Sequence, residues 1–253
     1  MRKIEVKSPP QVKLMIEGGK RLARVKHQLQ EAVAVGTSAF EINELAVKLI
    51  KKEGAQASFK MVPGYSWATC VNVNDGVVHG IPKKEVIFAN GDVVSVDVGL
   101  FYKGYHLDTS FTVDLAATAS IKRFLRAGKE ALTSGIKAAI SGMKVFDISS
   151  AIERVLNSYG YVPVNGLVGH GIGKNLHEFP QIPCTVKGSS RENSEELMVG
   201  NTLAIEVMYS MGNGEIILDK DGWTIKAKDG KITGLFEDTI LVSEAGSVVL
   251  TDF

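Results

Sequence analysis

The chain has 253 residues, 45 % apolar and 23 % charged. That composition is ordinary for a soluble globular domain and excludes a disordered tail protein. Lys plus Arg number 29 against 28 Asp plus Glu, a formal net charge of +1. Such a balance gives no strong field for gripping nucleic acid or an anionic membrane. The opening MRKIEVKSPPQVKL has positive charge but no apolar run after it. A secretory signal is therefore not expected. No window approaches the ~18 apolar residues of a membrane span. The two cysteines, Cys70 and Cys184, make no disulfide or metal pattern, so a reducing, cytoplasmic setting is the expectation.

The pattern predicts four helices. The first covers about 8–35, with Ser8 able to cap and Pro9 and Pro10 suited to a first turn. Leu14, Leu22, Val25, Leu29 and Val33 fall near one stripe of it. The second starts at Ser38 with Glu41 three residues on, a capping box, and ends near Lys52. The third covers about 120–140. The fourth covers about 147–159 and stops at Gly160, suited to a left-handed cap. β-rich runs occupy 93–98, 106–113, 203–208 and 236–242. Asp221-Gly222 and Asp229-Gly230 suggest a hairpin loop around Trp223. Two helices then strands, twice over, point to two similar α+β halves, about 1–118 and 119–253, joined by a short connection at 116–121.

Four features carry chemistry. A hairpin turning at Tyr102-Lys103 would set Asp97 opposite Asp108, where like charges repel and need a proton, a basic partner or a cation. The alternative is a shifted register or one solvent-facing aspartate. Gly169-His170-Gly171-Ile172-Gly173 precedes His177-Glu178, and glycines beside a histidine let backbone and ligand approach closely. A lone histidine, including His79 in Val78-His79-Gly80, is more often packed or on the surface than a ligand. Glu206 and Glu237 each lie in an apolar strand, where an ionised carboxylate must be paired or bound to metal unless it sits at a solvated edge. Taken together, Asp97, Asp108, His170, Glu206 and Glu237 offer four carboxylates and one imidazole, a formal −4 that two divalent cations would balance. Such oxygen-rich donors with one imidazole suit Co, Mn, Fe or Zn. Nucleophilic-serine, phosphate-loop and dinucleotide motifs do not occur.

With these residues in this order, from about Lys7 to Leu250, the chain resembles the type I methionine aminopeptidases. The resemblance rests on Val78-His79-Gly80-Ile81-Pro82, Asp97, His106-x-Asp108-Thr109-Ser110, the His170 and His177 segments, Glu206, Asp221-Gly222-Trp223-Thr224 and Glu237. It implies a pita-bread fold: one α+β catalytic domain of two pseudo-symmetric halves, with a curved antiparallel sheet covered by helices. It implies a monomeric cytoplasmic enzyme that removes the first methionine of nascent polypeptides at the ribosome when the second residue is small. Attack would come from a water or hydroxide held between two divalent metal ions. In this likeness Asp97, Asp108, His170, Glu206 and Glu237 are the metal ligands, Asp108 and Glu237 bridging. Glu206 shuttles a proton, His177 supports the scissile carbonyl, and His79 contacts the substrate or the leaving amine. Tyr65, Cys70 and Trp223 line the methionine pocket. No specific nucleic-acid partner and no membrane are implied.

Glu206 and Glu237 stand 31 residues apart, too close for the helical insertion of the type II enzymes. Only 78 residues precede His79, too few for the extra N-terminal domain of proline-specific relatives. A proline-specific aminopeptidase of the same fold and a non-enzymatic pita-bread binding protein are the alternatives; the second typically loses ligands that are all present here. The chain departs from the family pattern at Leu176, Val207, Leu235 and Asp238, where an aromatic residue, proline, glutamine and histidine are usual. Strand alternation turns Asp238 to the face opposite Glu237.

Overall fold

The computed structural model describes residues 3–115 and 118–252. Part of the expected connection between the halves, residues 116 and 117, lies outside the described residues. Helix α1 spans Pro9–Ala32 and α2 spans Ala39–Lys52. Strands β1 (Gln56–Ala57), β2 (Thr69–Val73), β3 (Gly76–Val78), β4 (Val93–Tyr102) and β5 (Tyr105–Asp114) follow. Helices α3 (Ala119–Ala138) and α4 (Val145–Tyr159) come next. Then come β6 (Val162–Pro163), β7 (Val168–Gly171), β8 (Glu178–Pro183), β9 (Thr202–Ser210), β10 (Ile216–Leu218), β11 (Ile225–Ala227), β12 (Thr233–Ser243) and β13 (Gly246–Val249).

Local signals explain the helix ends. The Ser8 N–H donates to Gln11 Oε1 at 2.7 Å, and prolines fill the first turn of α1. Val33 is already extended, so α1 stops three residues short of the expected end. In α2 the Glu41 N–H donates to Ser38 Oγ, and Glu41 Oε2 accepts from the Ser38 N–H at 2.8 Å. Asp147 closes back on the Lys144 N–H at 2.8 Å, so α4 begins two residues before Asp147. Gly160 ends α4 at φ +77, as a left-handed cap requires.

The main sheet is antiparallel, in the order β1-β4-β5-β12-β9-β7-β8. β2 pairs with β4, β6 with β9, and β13 with β12. A small second sheet has the order β10-β11-β3, and its hairpin presents Trp223 at the tip. Asp221 Oδ1 accepts from the N–H groups of Trp223 and Thr224, which shapes that tip. The second Asp-Gly pair lies after β11, on the return to β12, and not in the Trp223 loop. Met15, Leu22, Val25 and Leu29 of α1 belong to one apolar core with Val94, Val96, Val98 and Leu107 of β4 and β5. Phe124, Ile148 and Ile152 of α3 and α4 share a second core with Ile205, Val207 and Ile240 of β9 and β12.

The β4–β5 register corrects the expectation. Asp97 pairs with Ser110, and Asp108 pairs with Gly99. The turn is Lys103-Gly104, with φ +46 and +94, both left-handed as a two-residue hairpin of this twist demands. Its centre lies one residue later than expected, which moves the pairing by two. A shift of two preserves alternation, so both carboxylates keep the same face.

Helix α1 meets the C-terminal segment so closely that a Cβ on Gly19 would overlap the Leu250 carbonyl. Gly19→Ala is expected to cost about 2 kcal/mol through this overpacking, read as a lower urea midpoint. An unchanged midpoint would show that the contact is loose.

Candidate metal centre

Five neighbouring strands each bring one candidate donor. Asp97 stands on β4, Asp108 on β5, Glu237 on β12, Glu206 on β9 and His170 on β7. Glu237 lies directly opposite Glu206 on one side and Ser110 on the other. Directly opposed like charges destabilise a sheet unless something sits between them. Ligating atoms of Asp108, His170 and Glu237 all lie within 4.8 Å of one another. Asp97 adjoins Asp108 closely enough for a carboxyl–carboxyl hydrogen bond, and Glu206 feels the Asp97 charge. Neither glutamate is at a solvated edge: Glu237 is fully buried, and Glu206 is half-buried on a central strand.

The electrostatics are those of a cation site. Burial pushes the Asp97 carboxyl up to about 7, and burial also raises Asp108, Glu206 and Glu237 well above the carboxylate range. Neighbouring carboxylates add to the rise at the last three. Among the described residues Asp97 Oδ1 and both carboxylate oxygens of Glu237 have no hydrogen-bond partner. Buried oxygens without donors are costly, and a divalent cation would satisfy them. His170 Nδ1 lies 2.9 Å from the Gly171 carbonyl oxygen; donating there leaves Nε2 with its lone pair. Burial pushes the His170 imidazole down to about 3, with His177 adding to the fall, so it stays neutral and able to ligate. Four carboxylates and one neutral imidazole thus fit divalent first-row metals, and the clustered residues make the site metal-dependent.

The other expected residues surround the same cavity of about 1060 Å³, which is lined by Asp97, Asp108, His170 and Glu206. The His177 and His170 rings meet edge to face at 4.5 Å. The segment carrying His177 is pinned from behind: Glu178 Oε2 accepts from Lys7 Nζ at 2.6 Å, and Glu178 Oε1 accepts from the Asn175 N–H. His79 sits in left-handed backbone at φ +59, an unusual state for a side-chain-bearing residue, in a turn held by the Gly80 N–H donating to Asn72 Oδ1. Burial lowers the pKa of both His79 and His177, which keeps both rings neutral near pH 7. Tyr65 contacts Trp223 at 5.1 Å between ring centres, and its hydroxyl donates to the Thr69 carbonyl at 3.0 Å. Cys70 pairs with Asp97 across β2 and β4, and burial pushes its thiol up, so it lines the wall as an inert apolar group.

Further lining residues had no signal in the sequence. Phe59 and Val62 come from a short helical turn before β2, and Phe146 and Ser149 from the start of α4. Isolated apolar residues in a connecting segment have no periodicity to reveal them.

Linkage gives a test that needs no substrate. Asp97 gains a raised value on folding, so stability is fully present below its ordinary 3.8 and is lost as pH climbs toward about 7. Metal-stripped protein is expected to melt at progressively lower temperature across that interval. Manganese should restore the melting temperature at pH 7 in the wild type but much less in Asp108→Ala. A melting temperature indifferent to pH and to manganese would contradict the cation site.

Comparison with known proteins places this geometry. The model for metallopeptidase family M24 matches residues 13–244. The chain is 37 % identical to the methionine aminopeptidase of Aquifex aeolicus over 98 % of this chain and 99 % of that one. It is 35 % identical to methionine aminopeptidase 1 of Bacillus subtilis, covering 97 % and 98 %. The crystal structure of the Thermotoga maritima methionine aminopeptidase superposes with a TM-score of 0.95 at 36 % identity, over 99 % of this chain and all of that one. The Pyrococcus furiosus prolidase shares the fold, with a TM-score of 0.77 at 21 % identity, but this chain covers 65 % of its length.

Proposed function

The chain belongs to metallopeptidase family M24, among its methionine aminopeptidases, and from that premise we propose that the five-strand row of donors holds two divalent cations, Co, Mn, Fe or Zn, for removal of N-terminal methionine. The observation that carries the reading is the placement of Asp97, Asp108, Glu237, Glu206 and His170 on consecutive strands under one cavity. Asp97, Asp108, His170, Glu206 and Glu237 would hold the ions: Asp108 and Glu237 would serve both, Asp97 mainly one of them, and His170 and Glu206 the other. Bound cations supply Lewis acidity and lower the pKa of a water molecule.

The chain's own residues do the rest. The Tyr65–Trp223 pair, Cys70 and Phe59 form a mostly apolar slot that takes an unbranched thioether. The free α-amino group lies on the Asp97 side, which confines cleavage to the first residue. His177, neutral through burial, donates an N–H to the scissile carbonyl oxygen as negative charge grows there. Water adds to the carbonyl carbon and the C–N bond breaks. Glu206 takes the water proton on a carboxylate oxygen and passes it to the leaving nitrogen. His79 contacts the substrate at that leaving amine. The whole chain serves as one catalytic domain, its halves about 1–118 and 119–253. Natural substrates on this reading are nascent chains with a small second residue, met at the ribosome by a cytoplasmic monomer. Among the described residues no helix is long and apolar enough to cross a membrane.

Metal-stripped protein given Mn, Co, Fe or Zn in turn should cleave Met-Ala-Ser and leave Ala-Pro peptides intact. The reverse preference would make the chain a proline-specific enzyme. His177→Ala should keep its metal content and lose about 100-fold or more in kcat, the scale of a missing oxyanion donor. Turnover at the wild-type rate would remove His177 from that role.

A further inference from the structure

The back of the sheet, under the candidate ligands, holds a charge pair that the reaction does not use. Asp238 follows Glu237 in β12, and Thr109 follows Asp108 in β5; the two are register partners. Asp238 Oδ1 accepts from Lys26 Nζ at 2.8 Å, from Thr251 Oγ1 at 2.9 Å and from Thr109 Oγ1 at 3.1 Å. Thr109 Oγ1 also lies 2.8 Å from the Glu237 carbonyl oxygen, an alternative acceptor for the same proton. Lys26 and Asp238 are both buried. Lys26 falls four residues after Leu22 and three before Leu29, inside the apolar stripe of α1. A lysine there is expensive unless it answers a specific charge.

The charge it answers is a fifth carboxylate beside four. Asp238 stands one residue from Glu237 on β12, and Thr109, which donates to it, stands one residue from Asp108 on β5. We propose that Lys26 sets the charge of the metal centre from behind: its ammonium cancels Asp238 on the far side of β12, so that bound cations meet four carboxylates rather than five. The same contact ties β5 and β12, which carry Asp108 and Glu237, to α1 and to the C-terminal Thr251. The inference rests on the two-cation reading and goes beyond it in assigning a role to residues on the opposite face of the sheet.

The test is manganese calorimetry on the metal-stripped full chain, with melting curves to confirm folding. Asp238→Asn leaves the ammonium uncompensated and should weaken manganese binding by about tenfold. Lys26→Met leaves the extra carboxylate and should bind at least as tightly as wild type. The double variant should return to within about threefold of wild type, the coupling expected of a touching pair. A role in packing alone predicts that both single variants weaken binding and that the double is no better than Asp238→Asn; that pattern would overturn the proposal. If Lys26→Met does not fold, the double variant against Asp238→Asn decides by the same comparison. Wild-type protein that fails to bind manganese would instead overturn the metal centre itself. Wild-type binding with all three variants unchanged would overturn only the role of Lys26.

Discussion

Four carboxylates packed into the middle of one sheet set the terms for this molecule. Glu206 and Glu237 face each other across a strand pair, and one oxygen of Asp108 lies within 4.8 Å of a ligating atom of Glu237 and of His170. Without cations the arrangement must retain protons, and burial pushes the carboxyl groups upward accordingly. A divalent cation bound among them would relieve both the repulsion and the unmet hydrogen-bonding demand. Folding and metal binding are therefore coupled through the same side chains.

The rest of the fold reads as support for that row. An antiparallel sheet with alternating faces can offer donors in front and an apolar or neutralised surface behind. The front carries the candidate donors and the cavity. The back rests on α1 and α3, and α1 contributes Lys26, which pairs with the rear-facing Asp238 carboxylate. Loops complete the site only where something pins them. Lys7 holds the His177 segment through Glu178, and Lys83 holds the Trp223 loop by donating to Asp221 at 2.9 Å. Both anchors are far from the residues they steady in sequence, so rigidity at the cavity mouth is a product of tertiary structure.

Much of this was legible in the chain, for physical reasons that differ by element. Helix limits could be read to within a few residues because caps are local: Ser8 with prolines, Ser38 with Glu41, and Gly160 each act within one turn. The α+β class followed from element order, and the antiparallel sheet from the resemblance. The face shared by Asp97 and Asp108 survived a register error because alternation has a period of two. What stayed hidden depended on contacts across the chain. Lys26 could be seen as a charge on an apolar stripe, but its partner lies 212 residues away. Phe59 and Val62 carry no periodic signal, and the short strands β6 and β8 are made by pairing rather than by propensity. Of the departures from the family pattern, Asp238 found a structural reason in Lys26; nothing in the structure explains Val207 or Leu235.

Anomalous diffraction from crystals grown with manganese addresses the central claim most directly. Two strong peaks are expected, both bounded by Asp97, Asp108, His170, Glu206 and Glu237 and lying against the floor of the cavity. Peaks confined to the surface, with the five side chains turned away from a common centre, would contradict it.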